Sequence, residues 1–173
     1  LFAPDLMKDS RSAPRVFQQV DWSSGGDGIV VRGAIASVAD LKGKTIVYAQ
    51  NSPSQYFINN LLLNAGVQPS TVKHKYTATA FEAAAAFVAD KSIDACVSWA
   101  PDIYNIPDKV KGTRVLTTTA EANKLIADVW AARADFAKDH PDVIKGLVAG
   151  IFDGMDRLAD ATQREKAYAW MAE

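Results

Sequence analysis

Polar side chains recur in this chain just after segments that read as strands, and their types suit hydrogen bonding to a small solute. Asn51, Ser52, Ser54, Gln55 and Tyr56 follow the β-branched run Thr45–Ala49 and open a stretch of helical apolar period. Ser52 stands where an N-cap belongs, and Pro53 in the first turn, where a missing N–H costs nothing. The free N–H groups of that turn then face the carboxyl end of the strand. Open α/β sheets place ligands there, and the helix dipole favours an anionic or electron-rich group. Thr77 and Thr79 repeat the arrangement before a second helix, and Trp99 and Asp102 flank Pro101 at the end of another strand. Ser23, Ser24, Gly25 and Asp27 belong to a glycine-rich loop that lets backbone approach a ligand. Asp128 lies among apolar neighbours. The plainer accounts are that Ser52 only caps a helix, that the glycine loop is only a hairpin turn, and that Trp99 only closes the rim of the core.

The elements that must position these residues alternate between strand and helix. Strands are expected over residues 15–20, 29–32, 45–49, 72–77, 93–99, 113–117 and 126–133. In the fifth of these, Ala95, Val97 and Trp99 share one face and Cys96 and Ser98 the other. A capping box at Ser37 and Asp40 opens one helical turn. The helix after Pro53 buries Phe57, Ile58, Leu61, Leu62 and Ala65, and Gly66 stops it. The helix over residues 80–89 offers Phe81, Ala84, Ala85 and Val88 as a core stripe. A long helix over residues 141–159 is expected to bury Val143, Ile144, Leu147, Val148, Ile151, Phe152, Met155 and Leu158. Gly146, Gly150 and Gly154 beside that stripe read as a seam for close packing. A last helix covers residues 165–171.

Composition narrows the function classes. The 173 residues are 49% apolar and 23% charged with a net charge of −1, so nothing favours nucleic acid or an anionic membrane surface. The one cysteine, Cys96, reads as a small buried hydrophobe. His74 and His140 do not fall at metal-ligand spacing, so no metal or cofactor is expected. No phosphate-binding glycine motif and no nucleophile elbow is present. Residues 1–12 carry Asp5, Lys8, Asp9 and Arg11 and do not read as a leader peptide.

The runs WSSGGDGIVV (22–31), ASVADLKGKTIVYAQNSPSQYF (36–57), AFEAAAAFVADKSIDACVSWAPDIY (80–104) and IADVWAARADFAKDHPDVIKGLVAGIF (126–152) resemble, in this order, the type 2 periplasmic solute-binding proteins of ABC importers. The subgroup is the nitrate, sulfonate, taurine and thiamine-precursor one. The resemblance implies an α/β fold: a lobe with a mixed, mostly parallel sheet flanked by helices, plus part of a second lobe. Residues 1–35 would be a first-lobe remnant and crossover, 36–125 the second lobe, and 126–173 the return to the first. Solute would bind in the cleft between lobes. Ser23, Ser24, Gly25 and Asp27 would line it near the crossover. Asn51, Ser52, Ser54, Gln55 and Tyr56 would receive the solute's polar head, with Thr77 and Thr79 forming a second such turn. Trp99, Pro101 and Asp102 would form a wall, and Asp128 would mark the return. The implied role is capture, not catalysis, in the periplasm or on a lipid anchor outside the cytoplasm, by a monomer that hands its solute to a membrane permease. Asp27 and Asp102 suit an ammonium or hydroxyl and the candidate turns hold no arginine, so a zwitterion or a weakly charged organic solute fits better than bare nitrate. Two alternatives stay open. One is an enzyme on the same fold with Asp27 or Asp128 as base, and the other is the effector-sensing domain of a transcription regulator.

Overall fold

The structure, a computed structural model, describes residues 5, 7–122 and 124–172. Its strands are β1 (Pro14–Trp22), β2 (Asp27–Arg32), β3 (Thr45–Ala49), β4 (Lys73–Thr77), β5 (Ala95–Trp99), β6 (Thr113–Thr118) and β7 (Ala127–Arg133). Its helices are α1 (Pro53–Asn64), α2 (Ala80–Ala89), α3 (Asp102–Lys109), α4 (Ala134–Asp139), α5 (Pro141–Ala159) and α6 (Ala161–Ala172). The chain forms two compact units. One is Val20–Asp128, and the other joins the described residues up to Gln19 with those from Val129 onward. The first unit therefore takes in β2, which the sequence groups with the preceding remnant.

The unit Val20–Asp128 is built on a five-stranded sheet in the order β4-β3-β5-β2-β6. β3 runs parallel to β4 and β5, whereas β2 is antiparallel to both β5 and β6. Side chains alternate across these strands, so each strand feeds two cores. Ile29, Val31, Ile46, Tyr48, Ala95 and Val97 pack with Phe57, Ile58 and Leu62 of α1. Val30, Val47 and Cys96 pack on the other side with Ala83, Ala84 and Phe87 of α2 and Ile103 and Ile106 of α3. Each fully buried large side chain contributes about 1.5–3 kcal/mol through the water it no longer meets. Ala95 and Val97 of β5 face one core and Cys96 the other, as expected, and Cys96 is buried.

The stripe expected on α2 is displaced by one residue. Ala80, Ala83, Ala84 and Phe87 are buried, while Phe81 and Val88 stay exposed. Both sets obey helical spacing, and an alanine-rich helix does not distinguish them. The sheet selects the stripe that lays Phe87 beneath the Arg32 guanidinium, 4.1 Å from its ring centroid. α3 was not among the expected elements, and it carries Pro107 within its eight residues.

In the second unit, the 2-stranded pairing of β1 with β7 leads into α4, α5 and α6. The apolar stripe of α5 is not buried as expected, since Val143, Leu147, Phe152, Met155 and Leu158 are all exposed and no residue of the helix is buried. Among the described residues the helix packs chiefly on α4 and α6, which offer no sheet to cover that face. The glycine seam is open too: a Cβ at Gly146, Gly150 or Gly154 would meet nothing within 4 Å.

Two glycine substitutions separate tight from open packing. A Cβ on Gly28 would lie 3.1 Å from the Thr117 carbonyl and 3.0 Å from Ile103 Cδ1, so Gly28→Ala is expected to destabilise the sheet unit by about 1–3 kcal/mol in urea unfolding. Gly146→Ala, in a helix interior with open space around it, is expected to add about 0.5–1 kcal/mol. A loss at Gly146 would show that a partner packs on that face in solution.

Candidate functional site

The reversed direction of β2 decides which loops meet. Its register pairs Asp27 with Trp99 of β5 and Gly28 with Thr118 of β6, so the start of β2 lies beside the carboxyl ends of its two neighbours. The loop before β2 is thereby laid along the edge where strands end and α1 begins. A cavity of about 680 Å³ opens there, lined by Asp21, Trp22, Ser23, Ser24, Gly26, Asp27, Pro53, Trp99, Ala100, Ile126 and Asp128.

Hydrogen bonds to Thr119 hold this loop. Its hydroxyl oxygen accepts from the N–H groups of Gly25 (2.9 Å) and Asp27 (3.2 Å) and lies 2.9 Å from Ser23 Oγ. Its own N–H donates to the Asp27 carbonyl at 2.9 Å. Ser23 Oγ donates to Asp27 Oδ2 at 2.6 Å, which leaves Thr119 as the donor to Ser23 when Asp27 is ionised. Tyr104 of α3 donates from its hydroxyl to the Gly25 carbonyl at 2.7 Å, and the Ala100 N–H donates to the Gly26 carbonyl at 2.7 Å. Gly25 has φ +89°, a conformation that favours glycine.

The cavity is acidic. Asp21, Asp27 and Asp128 line it, and no lysine, arginine or histidine does. Burial pushes the Asp27 carboxyl above its ordinary value, against the Ser23 hydrogen bond that favours the charged form, and the Asp128 charge adds to the rise. Asp128 is raised as well, by burial and then by its closeness to Asp21. Two indoles complete the walls, Trp22 and Trp99, the latter set edge-on to Phe81 at 5.9 Å between ring centroids. Pro53 brings the start of α1 to the same cavity.

The residues singled out in the sequence divide between places. Ser23, Ser24, Asp27, Trp99 and Asp128 line the cavity. Gly25 shapes its loop without lining it. Asn51, Ser52, Gln55 and Tyr56 line a separate groove of about 400 Å³ along α1. The Ser52 hydroxyl is committed to its helix, donating to the Ala49 carbonyl at 2.7 Å and accepting from the Gln55 N–H at 3.4 Å. Ser54 is fully buried, its Oγ without a hydrogen-bond partner, and lines neither place. Thr77 Oγ1 donates to the Thr79 carbonyl, and Thr79 Oγ1 accepts from the Glu82 N–H as the cap of α2, so both stay within their own turn. Asp102 opens α3 and faces a different hollow, beside Phe81, Ala85 and Val88. Thr119 and Asp21 were not among the expected site residues, and Trp22 was noted only as part of the glycine loop. Trp22 and Asp21 adjoin the glycine loop, which is the one signal that pointed to them. Thr119 acquires its role only through the pairing of β6 with β2. Among the described residues no group of three His, Cys, Asp or Glu is placed to hold a metal ion, and no helix is long and apolar enough to cross a membrane.

Residues 28–164 match the family described as NMT1/THI5 like. The chain belongs to that family. It is 28% identical over 155 residues to the taurine-binding periplasmic protein of Escherichia coli (strain K12), covering 87% of this chain and 47% of that one. The crystal structure of the periplasmic aliphatic sulphonate binding protein SsuA from Escherichia coli superposes with a TM-score of 0.76 at 27% identity, over 98% of this chain and 57% of that one. The desulfurization enzyme DSZB shares the fold, with a TM-score of 0.59 at 16% identity over 85% of this chain and 58% of that one. The NMT1/THI5-like chain thus spans about half the length of the relatives it matches, and its fold is the mixed α/β fold expected for periplasmic binding proteins.

The buried carboxyl sets a pH signature. The folded chain holds the Asp27 proton more tightly than the unfolded chain does, so this contribution to stability is complete below 3.8 and is lost as pH rises through the raised value. Asp27→Asn keeps an oxygen to accept from Ser23 and has no charge to bury. Its urea midpoint is expected to gain on the wild type as pH rises from below 3.8 to neutrality. A difference that stays constant with pH would show that burial leaves this carboxyl unperturbed.

Proposed function

We propose that this chain is the solute-capturing part of an extracytoplasmic binding protein of an ABC importer, and that its solute is an aminoalkanesulfonate of the taurine kind. The observation that carries the reading is one cavity with three carboxylates, two indoles and no basic side chain. An ammonium group is stabilised by carboxylates in a partly dry site and by the faces of Trp22 and Trp99. The sulfonate end is served by the positive end of the α1 dipole, where Pro53 lines the cavity. The names of the relatives support the same solute class, and those two relatives are binding proteins. A bare inorganic anion gains nothing from Asp21, Asp27 and Asp128 and is repelled by them.

Titration calorimetry of the full gene product with taurine, ethanesulfonate and nitrate tests this. Taurine is expected to bind at least about tenfold more tightly than ethanesulfonate, which lacks the ammonium, since that ratio corresponds to only about 1.4 kcal/mol. Asp27→Asn is expected to erase most of that preference. Equal or tighter binding of ethanesulfonate or nitrate overturns the zwitterion reading. Protonation competes with the ammonium for the same carboxylates, so taurine affinity is expected to fall as pH drops through the raised values of Asp27 and Asp128, while ethanesulfonate affinity does not fall.

A further inference from the structure

The Ser23 hydroxyl is committed on every side. It donates to Asp27 Oδ2 at 2.6 Å, a length typical of a hydroxyl on a carboxylate. Thr119 Oγ1 lies 2.9 Å away on its other side. A hydroxyl oxygen has two lone pairs, and those of Thr119 are taken by the N–H groups of Gly25 and Asp27. The proton between the two hydroxyls is therefore that of Thr119, and the Ser23 proton goes to Asp27. Gly26 closes in as well, since a Cβ there would lie 3.0 Å from Ser23 Oγ. The Ser23 N–H is fixed on the Ile126 carbonyl at 2.9 Å, and the residue is 9% exposed. Ser23 thus lines the cavity without a donor to give to a solute. Among the described residues it is the one donor to the Asp27 carboxylate, whose Oδ1 is left for a group in the cavity.

We propose that Ser23, locked by Thr119, is a positioning residue that sets the cavity's preference for an ammonium by holding Asp27 as a carboxylate, and that it touches no solute itself. The inference rests on the zwitterion reading above. A hydrogen bond to the charged form of an acid favours that form. Here it acts against burial and against Asp128, whose charge opposes a second one nearby. The other titratable groups around Asp27 do not take its place. Asp21 brings another carboxyl group to the same cavity. Asp102 faces a different hollow, Tyr104 donates to the Gly25 carbonyl, and Glu121, past β6, accepts from the Thr117 hydroxyl. No lysine, arginine or histidine lines the cavity. Without the Ser23 hydroxyl, Asp27 holds its proton more tightly and an ammonium meets a neutral acid.

Ser23→Ala tests it in the full gene product, beside Thr119→Ser, which keeps the locking hydroxyl. The Asp27 carboxyl carbon is followed by NMR across pH in the solute-free protein. Taurine and ethanesulfonate are titrated by calorimetry over the same range. In Ser23→Ala the Asp27 midpoint is expected to rise by about one pH unit, a hold on the proton about tenfold tighter. The pH at which taurine loses its advantage over ethanesulfonate is expected to rise with it. Thr119→Ser is expected to keep the wild-type midpoint. Melting curves verify folding, and Ser23→Gly, which also lacks the hydroxyl, is expected to show the same shift. In an Asp27→Asn background, Ser23→Ala is expected to change neither affinity by more than about twofold. An unmoved Asp27 midpoint in Ser23→Ala overturns the inference. So does a loss of both affinities that persists in the Asp27→Asn background, which would make Ser23 a direct contact of the sulfonate. Equal binding of taurine and ethanesulfonate by the wild type overturns the zwitterion reading and the preference assigned here, and a midpoint that still moves keeps the two failures apart.

Discussion

The hydroxyl of Thr119 holds the cavity loop in shape. It accepts from two backbone N–H groups and meets the Ser23 hydroxyl, and its residue's own N–H reaches the Asp27 carbonyl. A glycine-rich loop has much conformational entropy to lose, and these bonds are what oppose that loss. They exist because β2 enters the sheet against the direction of β5 and β6. With β2 parallel to its neighbours, Asp27 would lie at the far edge and the acidic cavity would have no floor. The antiparallel strand in an otherwise co-directional sheet is therefore the topological feature on which the site depends.

The electrostatics of the cavity follow from the same placement. Drawing Asp27 into the sheet strips it of water, and crowding Asp128 against Asp21 adds like charge. Stability alone would not retain Asp27, because a carboxylate buried among residues that include no cation costs free energy. Functional sites commonly carry strain of this kind. The second unit has the opposite difficulty: its helices show apolar faces that no element among the described residues covers.

The strand–turn–helix units were legible because β-branched runs, an N-cap serine, a first-turn proline and stop glycines all agree at the same boundaries. The long helix was read with its limits correct and its surroundings wrong, since an apolar stripe announces that it wants cover without saying what supplies it. Alanine in α2 hid the true face, as two stripes one residue apart were equally apolar. The site was half legible. Ser23, Asp27 and Trp99 could be picked because turn residues with chemistry stand out locally. Thr119 could not, because its meaning lies in a partner more than ninety residues away in sequence. Asn51, Gln55 and Tyr56 were expected to receive a solute's polar head, but the helix carries them around to a second hollow. Thr77 and Thr79 turned out to serve their own backbone, the use to which hydroxyls at turns are most readily put.

Arg32 sits at the edge of the sheet remote from the cavity. Its guanidinium donates to the carbonyls of Phe87 and Ile93 and lies over the Phe87 ring, clamping the last turn of α2 to the approach to β5. At the other end of α2, Phe81 stands edge-on to Trp99 in the cavity wall. The six-residue rise from Phe81 to Phe87 makes a stiff rod about 9 Å long between these two contacts. The guanidinium thus acts as an anchor pin at one end of a spacer bar, and the position of one cavity wall is gauged by a residue remote from it.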